Sequence, residues 1–134
     1  MVIIRGDTMN TKRLNRISEE VKKVISELLF NGLKDPRVHP MTSVTEVEVT
    51  KDLRYAKIYI SVLGNDEDKK NTMEGLESAK GYIRNEIGRK INLRYVPEPI
   101  FYLDESIEHG IYISKLIEDV NKNIEDTGEN QNDI

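Results

Sequence analysis

Cysteine is absent from the chain, which excludes disulfides and thiolate metal sites and removes any need for an oxidising compartment. A cytosolic protein is the simplest expectation. No uninterrupted apolar run exceeds four residues, as in Ile100-Phe101-Tyr102-Leu103. That is far short of the roughly 20 residues a membrane helix needs. The opening Met1-Val2-Ile3-Ile4-Arg5-Gly6-Asp7 reaches charge too soon to serve as a signal-peptide apolar region. Internal repeats are lacking as well. What is present suits one domain: 134 residues, of which 37% are hydrophobic and 33% charged.

The net charge of −4 argues at first against a nucleic-acid partner, but the charge is unevenly placed. Residues 80–94 carry Lys80, Arg84, Arg89, Lys90 and Arg94 against Glu86, a net +4. Residues 12–23 carry Lys12, Arg13, Arg16, Lys22 and Lys23 against Glu19 and Glu20, a net +3. Residues 116–134 are acidic, at −5. Screening acts over about 8 Å at physiological salt, so a basic face survives an acidic tail farther away than that.

Residues 1–10 read as a flexible leader, with Met9 a second candidate start. From residue 11 a single domain is expected to run to 120. Leu14, Ile17, Val21, Val24, Ile25, Leu28 and Leu29 then form one apolar stripe of a helix that Asn10 or Thr11 can cap and that Gly32 and Pro36 bracket. Residues 42–50 read as a strand with Thr45, Val47 and Val49 on one face. Lys51-Asp52 is a short turn, and Ala56, Ile58, Ile60 and Val62 alternate with Tyr55, Lys57, Tyr59 and Ser61 in a second, antiparallel strand.

Helical spacing returns at Met73, Leu76 and Ala79 and again at Ile83, Ile87 and Ile91. Gly81 falls midway and is taken as the corner between two helices. After Val96-Pro97-Glu98-Pro99 comes a short third strand, 100–103. A last helix opens at Glu105 or Ser106, with Ile107, Ile111, Ile113 or Ser114, Leu116, Ile117 and Val120 able to face inward. Residues 121–134 are expected to be an acidic, disordered tail. The helical crossover predicts that strands two and three are parallel neighbours, with every helix on one sheet face.

The segment Glu77-Ser78-Ala79-Lys80-Gly81-Tyr82-Ile83-Arg84 carries the functional signal. A chain that turns at Gly81 starts its second helix with unpaired N–H groups and the positive end of a dipole, a natural phosphate site. Lys80 lies beside it, and Arg84 can grip a phosphate bidentately. Taken alone, a basic helix is more often a solvated surface, and Gly81 can equally be a packing kink. Tyr55 and Tyr59 can stack on bases but serve more readily as sheet-surface packing.

Several linked motifs sharpen this reading. Val47-Glu48-Val49-Thr50-Lys51-Asp52-Leu53 and Ala56-Lys57-Ile58-Tyr59-Ile60-Ser61-Val62-Leu63-Gly64 resemble the hairpin of the ribosome-binding factor A family. Leu33-Lys34-Asp35-Pro36-Arg37, Ala79-Lys80-Gly81-Tyr82-Ile83-Arg84, Leu93-Arg94-Tyr95-Val96-Pro97-Glu98 and Asp104-Glu105-Ser106 follow the same family in order. The similarity runs from about Asn15 to Val120. It implies an α+β fold of the KH-like type II, αββααβ plus a C-terminal helix, with a three-stranded mixed sheet. An Ala-x-Gly kink, here Ala79-Lys80-Gly81, replaces the usual Gly-x-x-G loop. It also implies binding to 16S rRNA and the free 30S subunit, late maturation of that RNA including its 5′ end, release before translation and a role in the cold. Pro99 stands where the family commonly has an aliphatic residue. Lacking an N–H, it is expected to delay strand three to Ile100.

The RNA face is therefore expected at Ala79, Lys80, Gly81 and Arg84. Charge alone adds Lys12, Arg13, Arg16, Arg37, Arg89, Lys90 and Arg94, with Asn15 at the first helix start. His109 lies near Asp104, Glu105 and Glu108, but His39 is far off in sequence, so no metal-ligand spacing results. Nucleophilic triads, a P-loop and a dinucleotide fingerprint are all lacking. The expectation is a non-catalytic monomer with no cofactor, no small-molecule substrate and no membrane partner. The alternative is a KH-like module for another structured RNA, or for a protein partner outside ribosome assembly.

Overall fold

Helix α1 (Val2–Phe30) forms on the apolar stripe anticipated above, and it buries Ile17, Val21, Val24 and Ile25. The computed structural model describes residues 2–31, 33 and 35–132, and the side chains of residues 11–31, 33 and 35–124 among them. The helix runs back to Val2 rather than starting at Asn10 or Thr11. No proline interrupts the first thirty residues, and once a helix is nucleated each added residue fixes only its own dihedrals. The side chains of the expected leader, 1–10, lie outside the described residues.

Strands β1 (Thr42–Val49) and β2 (Tyr55–Val62) pair antiparallel, and β2 pairs in parallel with β3 (Glu98–Leu103), giving the order β1-β2-β3. Ala56, Ile58, Ile60 and Val62 are all buried on the core face of β2. One detail of β1 departs from simple alternation. The register shifts between Val44 and Glu46, so Val44 lies opposite Ile60 and Val47 opposite Ile58. Thr45 is the extra residue of a β-bulge. Val44, not Thr45, therefore joins Val47 and Val49 on the core face, and the Thr45 hydroxyl donates instead to the Asp104 carboxylate. The hairpin connection takes five residues, 50–54, rather than two. Leu53 occupies the left-handed region at φ 60, and Asp52 accepts from the Thr50 hydroxyl at 2.6 Å and the Arg54 N–H at 3.1 Å.

Strand β3 begins at Glu98 despite Pro99, two residues before the expected start. The Glu98 N–H donates to the Arg54 carbonyl (2.7 Å) and the Asp104 N–H to the Ile60 carbonyl (2.7 Å). Alternation then turns the imide nitrogen of Pro99 away from β2, toward the open edge where no donor is required. Pro99 is itself buried opposite Ala56.

Helices α2 (Asp66–Ser78) and α3 (Lys80–Lys90) form the crossover and add Leu76, Ile83 and Ile87 to the core. Burying each such side chain stabilises the fold by about 1.5–3 kcal/mol, which fixes α1, α2 and α3 on one sheet face. Ser18 on α1 is buried and accepts the Val49 N–H at 3.0 Å, tying that helix to the end of β1.

The chain divides into two units, 1–104 and 105–134. The second holds α4 (Ser106–Asn132), helical past residue 121, where a disordered tail was expected. The side chains of 125–134 lie outside the described residues. Ile107, Ile111, Ile113, Ser114, Leu116, Ile117 and Val120, the candidates for facing inward, are exposed. A single helix has no second surface of its own against which to bury a stripe. No helix among the described residues is long and apolar enough to cross a membrane.

Candidate nucleic-acid interface

The helical pair breaks at one residue. Ala79 has φ −86 and ψ 2, and the ladder resumes with the Ile83 N–H donating to the Ala79 carbonyl at 2.9 Å. The corner thus sits at Ala79, the first residue of the expected Ala79-Lys80-Gly81 kink, rather than at Gly81. Any L-residue can adopt φ near −90 with ψ near 0, so the break needs no glycine. Gly81 lies inside the first turn of α3, outside the left-handed region, and a Cβ built there meets nothing within 4 Å. The start of α2 is closed by a reciprocal cap between Asn65 and Asp68, whereas no side chain caps α3. First-turn N–H groups of a helix lack intrahelical acceptors, so this end keeps anion-binding character.

Most of the expected RNA-face cations, at the kink and beyond it, are already engaged. Lys80 Nζ lies 3.4 Å from Glu77 and 3.3 Å from Glu98. Partial burial works against its charge, but the two carboxylates outweigh that and raise its pKa above the usual lysine value. Arg84 donates to the Val96 carbonyl at 3.3 Å. Arg89 donates to Glu86 at 2.8 Å, which raises its pKa. Arg37 grips Asp35 with two hydrogen bonds, of 3.0 and 2.7 Å, and pulls that carboxyl down to about 2. The Arg94 guanidinium lies 5.6 Å from the centre of the Tyr95 ring.

A second group of cations gathers between α1 and the end of α3. Arg13, Arg16 and Lys23 line one flank of a groove of about 560 Å³, and Lys90 stands opposite. Ile17, Val24 and Ile91 form its apolar floor. Glu20 and Glu27 interrupt the positive flank: Arg16 lies 4.0 Å from Glu20, and Lys90 3.2 Å from Glu27. Among the described residues neither Arg13 nor Lys23 forms an ion pair. Of the groove wall, Lys23 was counted in the basic segment 12–23 but not placed on the expected RNA face, and Asn92 was not singled out from the sequence. The spacing of 13, 16 and 23 on one helix flank was the available signal.

The structure therefore joins Arg13, Arg16 and Lys90 in one groove. A second groove, of about 490 Å³, holds Ala79, Arg89 and Lys90 beside the exposed Tyr82 ring. Lys12, Asn15, Arg37 and Arg94 are exposed and line neither. On the outer sheet face Tyr59 stacks on Tyr102 with ring centres 5.3 Å apart. That contact gives Tyr59 a packing partner within the sheet.

The order αββααβ, the mixed sheet and the one-residue interruption between α2 and α3 define a KH-like α+β domain with a cationic helical side. The family model for Ribosome-binding factor A matches residues 13–117. An Acetivibrio thermocellus Ribosome-binding factor A is 60% identical over 106 residues, covering 79% of this chain and 86% of that protein. The chain belongs to the ribosome-binding factor A family. A Thermotoga maritima homologue with an NMR structure is 37% identical and superposes with a TM-score of 0.60, covering 67% of this chain and 85% of that one. A homology model of Thermus thermophilus ribosome binding factor A, fitted into a cryo-EM map of a 30S complex, gives a TM-score of 0.54 at 20% identity, covering 66% of this chain and 91% of that one. At that identity the likeness concerns the fold.

Proposed function

We propose that the chain binds the free 30S ribosomal subunit in the cytoplasm, contacts 16S rRNA and assists its late maturation, including that of the 5′ end. It acts as a non-catalytic monomer, leaves before translation begins and matters most at low temperature. The single observation that carries this reading is the 60% identity to a Ribosome-binding factor A across 86% of that protein's length. The Thermus thermophilus relative, placed in a 30S complex, supports the choice of subunit. The physical contribution of the fold is a rigid sheet that holds α1 and α3 side by side, so that their cations face a polyanion together.

Two measurements on cells test the reading. A lysate fractionated on a sucrose gradient should show the protein with free small subunits and absent from translating ribosomes. Cells depleted of the protein should accumulate 16S rRNA with an unprocessed 5′ end, more so in the cold. Migration with polysomes, or unaltered 5′ ends after depletion, would count against it.

A further inference from the structure

We infer that the groove between α1 and the C-terminal end of α3, rather than the kink, is the main phosphate-binding surface of this chain. It holds the backbone of one RNA strand against Arg13, Arg16, Lys23 and Lys90. The inference rests on the RNA reading above and adds where the polyanion lies.

The state of each cation supports it. At the kink, a phosphate must displace two carboxylates from Lys80 and a carbonyl from Arg84. Arg89 and Arg37 are likewise held by Glu86 and Asp35. In the groove, Arg13 and Lys23 are exposed and free of carboxylates among the described residues. Arg16 is 82% exposed, with Glu20 only at 4.0 Å. Lys90 alone must exchange a close partner, Glu27. A phosphate gains most where the cation has least to give up.

Geometry points the same way. Arg13 and Lys23 are ten residues apart on one helix, which is about 15 Å along its axis, enough to meet several phosphates of a strand. Ile17, Val24 and Ile91 close the groove beneath them, and the exposed Asn92 supplies an amide at the rim. Lys80 and Lys90 stand at opposite ends of α3, again about 15 Å apart, so the groove and the kink are separable by mutation.

The test is the salt dependence of the full chain binding a fluorescent 20-nucleotide poly(U) RNA. Each phosphate contact contributes about 0.7 to the slope of log affinity against log salt on a single strand. Replacing Arg13 and Lys23 together by glutamine should lower that slope by about 1.4 and weaken binding at least tenfold at low salt. Replacing Lys80 and Arg84 together should cost less than half as much. Glu27→Gln, which frees Lys90, should strengthen binding severalfold, a gain that misfolding cannot imitate. A larger loss from the kink pair, or no gain from Glu27→Gln, overturns the groove assignment while leaving the RNA reading intact. Salt-independent binding of the unaltered chain overturns both.

Discussion

Replacing Gly81 by alanine places a methyl group where nothing lies within 4 Å, on a residue already in the first turn of α3. Alanine is favoured over glycine in a helix by roughly 0.5–1 kcal/mol, through the unfolded chain's lost freedom and better shielding of the backbone. For a domain of about this size that gain raises the melting temperature by roughly 2–6 °C. Gly88 provides the contrast. A Cβ there meets Val96 Cγ2 at 2.8 Å, and Val96 is a short, branched side chain with little room to turn away. Overpacking costs typically about 1–3 kcal/mol, so Gly88→Ala should lower stability even after its propensity gain. Thermal unfolding followed by circular dichroism, with urea titration for free energies, reads both variants. A loss in Gly81→Ala as large as in Gly88→Ala would show that the break does require glycine at 81, and the placement of the corner at Ala79 would be wrong.

Ser18→Ala should cost about 1–3 kcal/mol, because it strips the buried Val49 N–H of its acceptor; urea unfolding checks this. Leu53 stays in the left-handed region while packing against the core, a conformation that disfavours non-glycine residues by about 1–2 kcal/mol. Leu53→Gly should therefore remain within about 1 kcal/mol of the parent, whereas Leu53→Val should fall below it; paired thermal melts decide. The depressed Asp35 carboxyl stabilises the fold fully above its unfolded value near 3.8, and that contribution is lost as pH falls through about 2. Arg37→Ala should return the Asp35 side-chain titration, followed by NMR, to the ordinary carboxylate range. An unmoved midpoint would refute the pairing.

Periodicity made the elements legible: the α1 stripe, the alternation in β2 and the two apolar sets of α2 and α3 all appear where spacing placed them. Features that depend on one residue of backbone geometry were not legible. The bulge at Thr45 follows no local composition, and a bridge conformation at Ala79 needs no special residue, so attention went to Gly81 instead. Pro99 was read by its missing donor, although its place on an edge strand makes that donor unnecessary. The basic residues were visible, but their partners were not. Lys80 meets Glu98, and Lys90 meets Glu27, across 18 and 63 residues of sequence, so only the fold shows which cations are spent internally. Lys23 was counted as charge but left off the RNA face for the same reason. Its value comes from Lys90 across the groove.

Equilibrium binding of the labelled chain to purified 30S, 50S and 70S particles is the most direct test. Saturable one-to-one association with free 30S, at least tenfold weaker with 70S and 50S, is the predicted result. Equal affinity for all three particles, or none for 30S, would contradict the account.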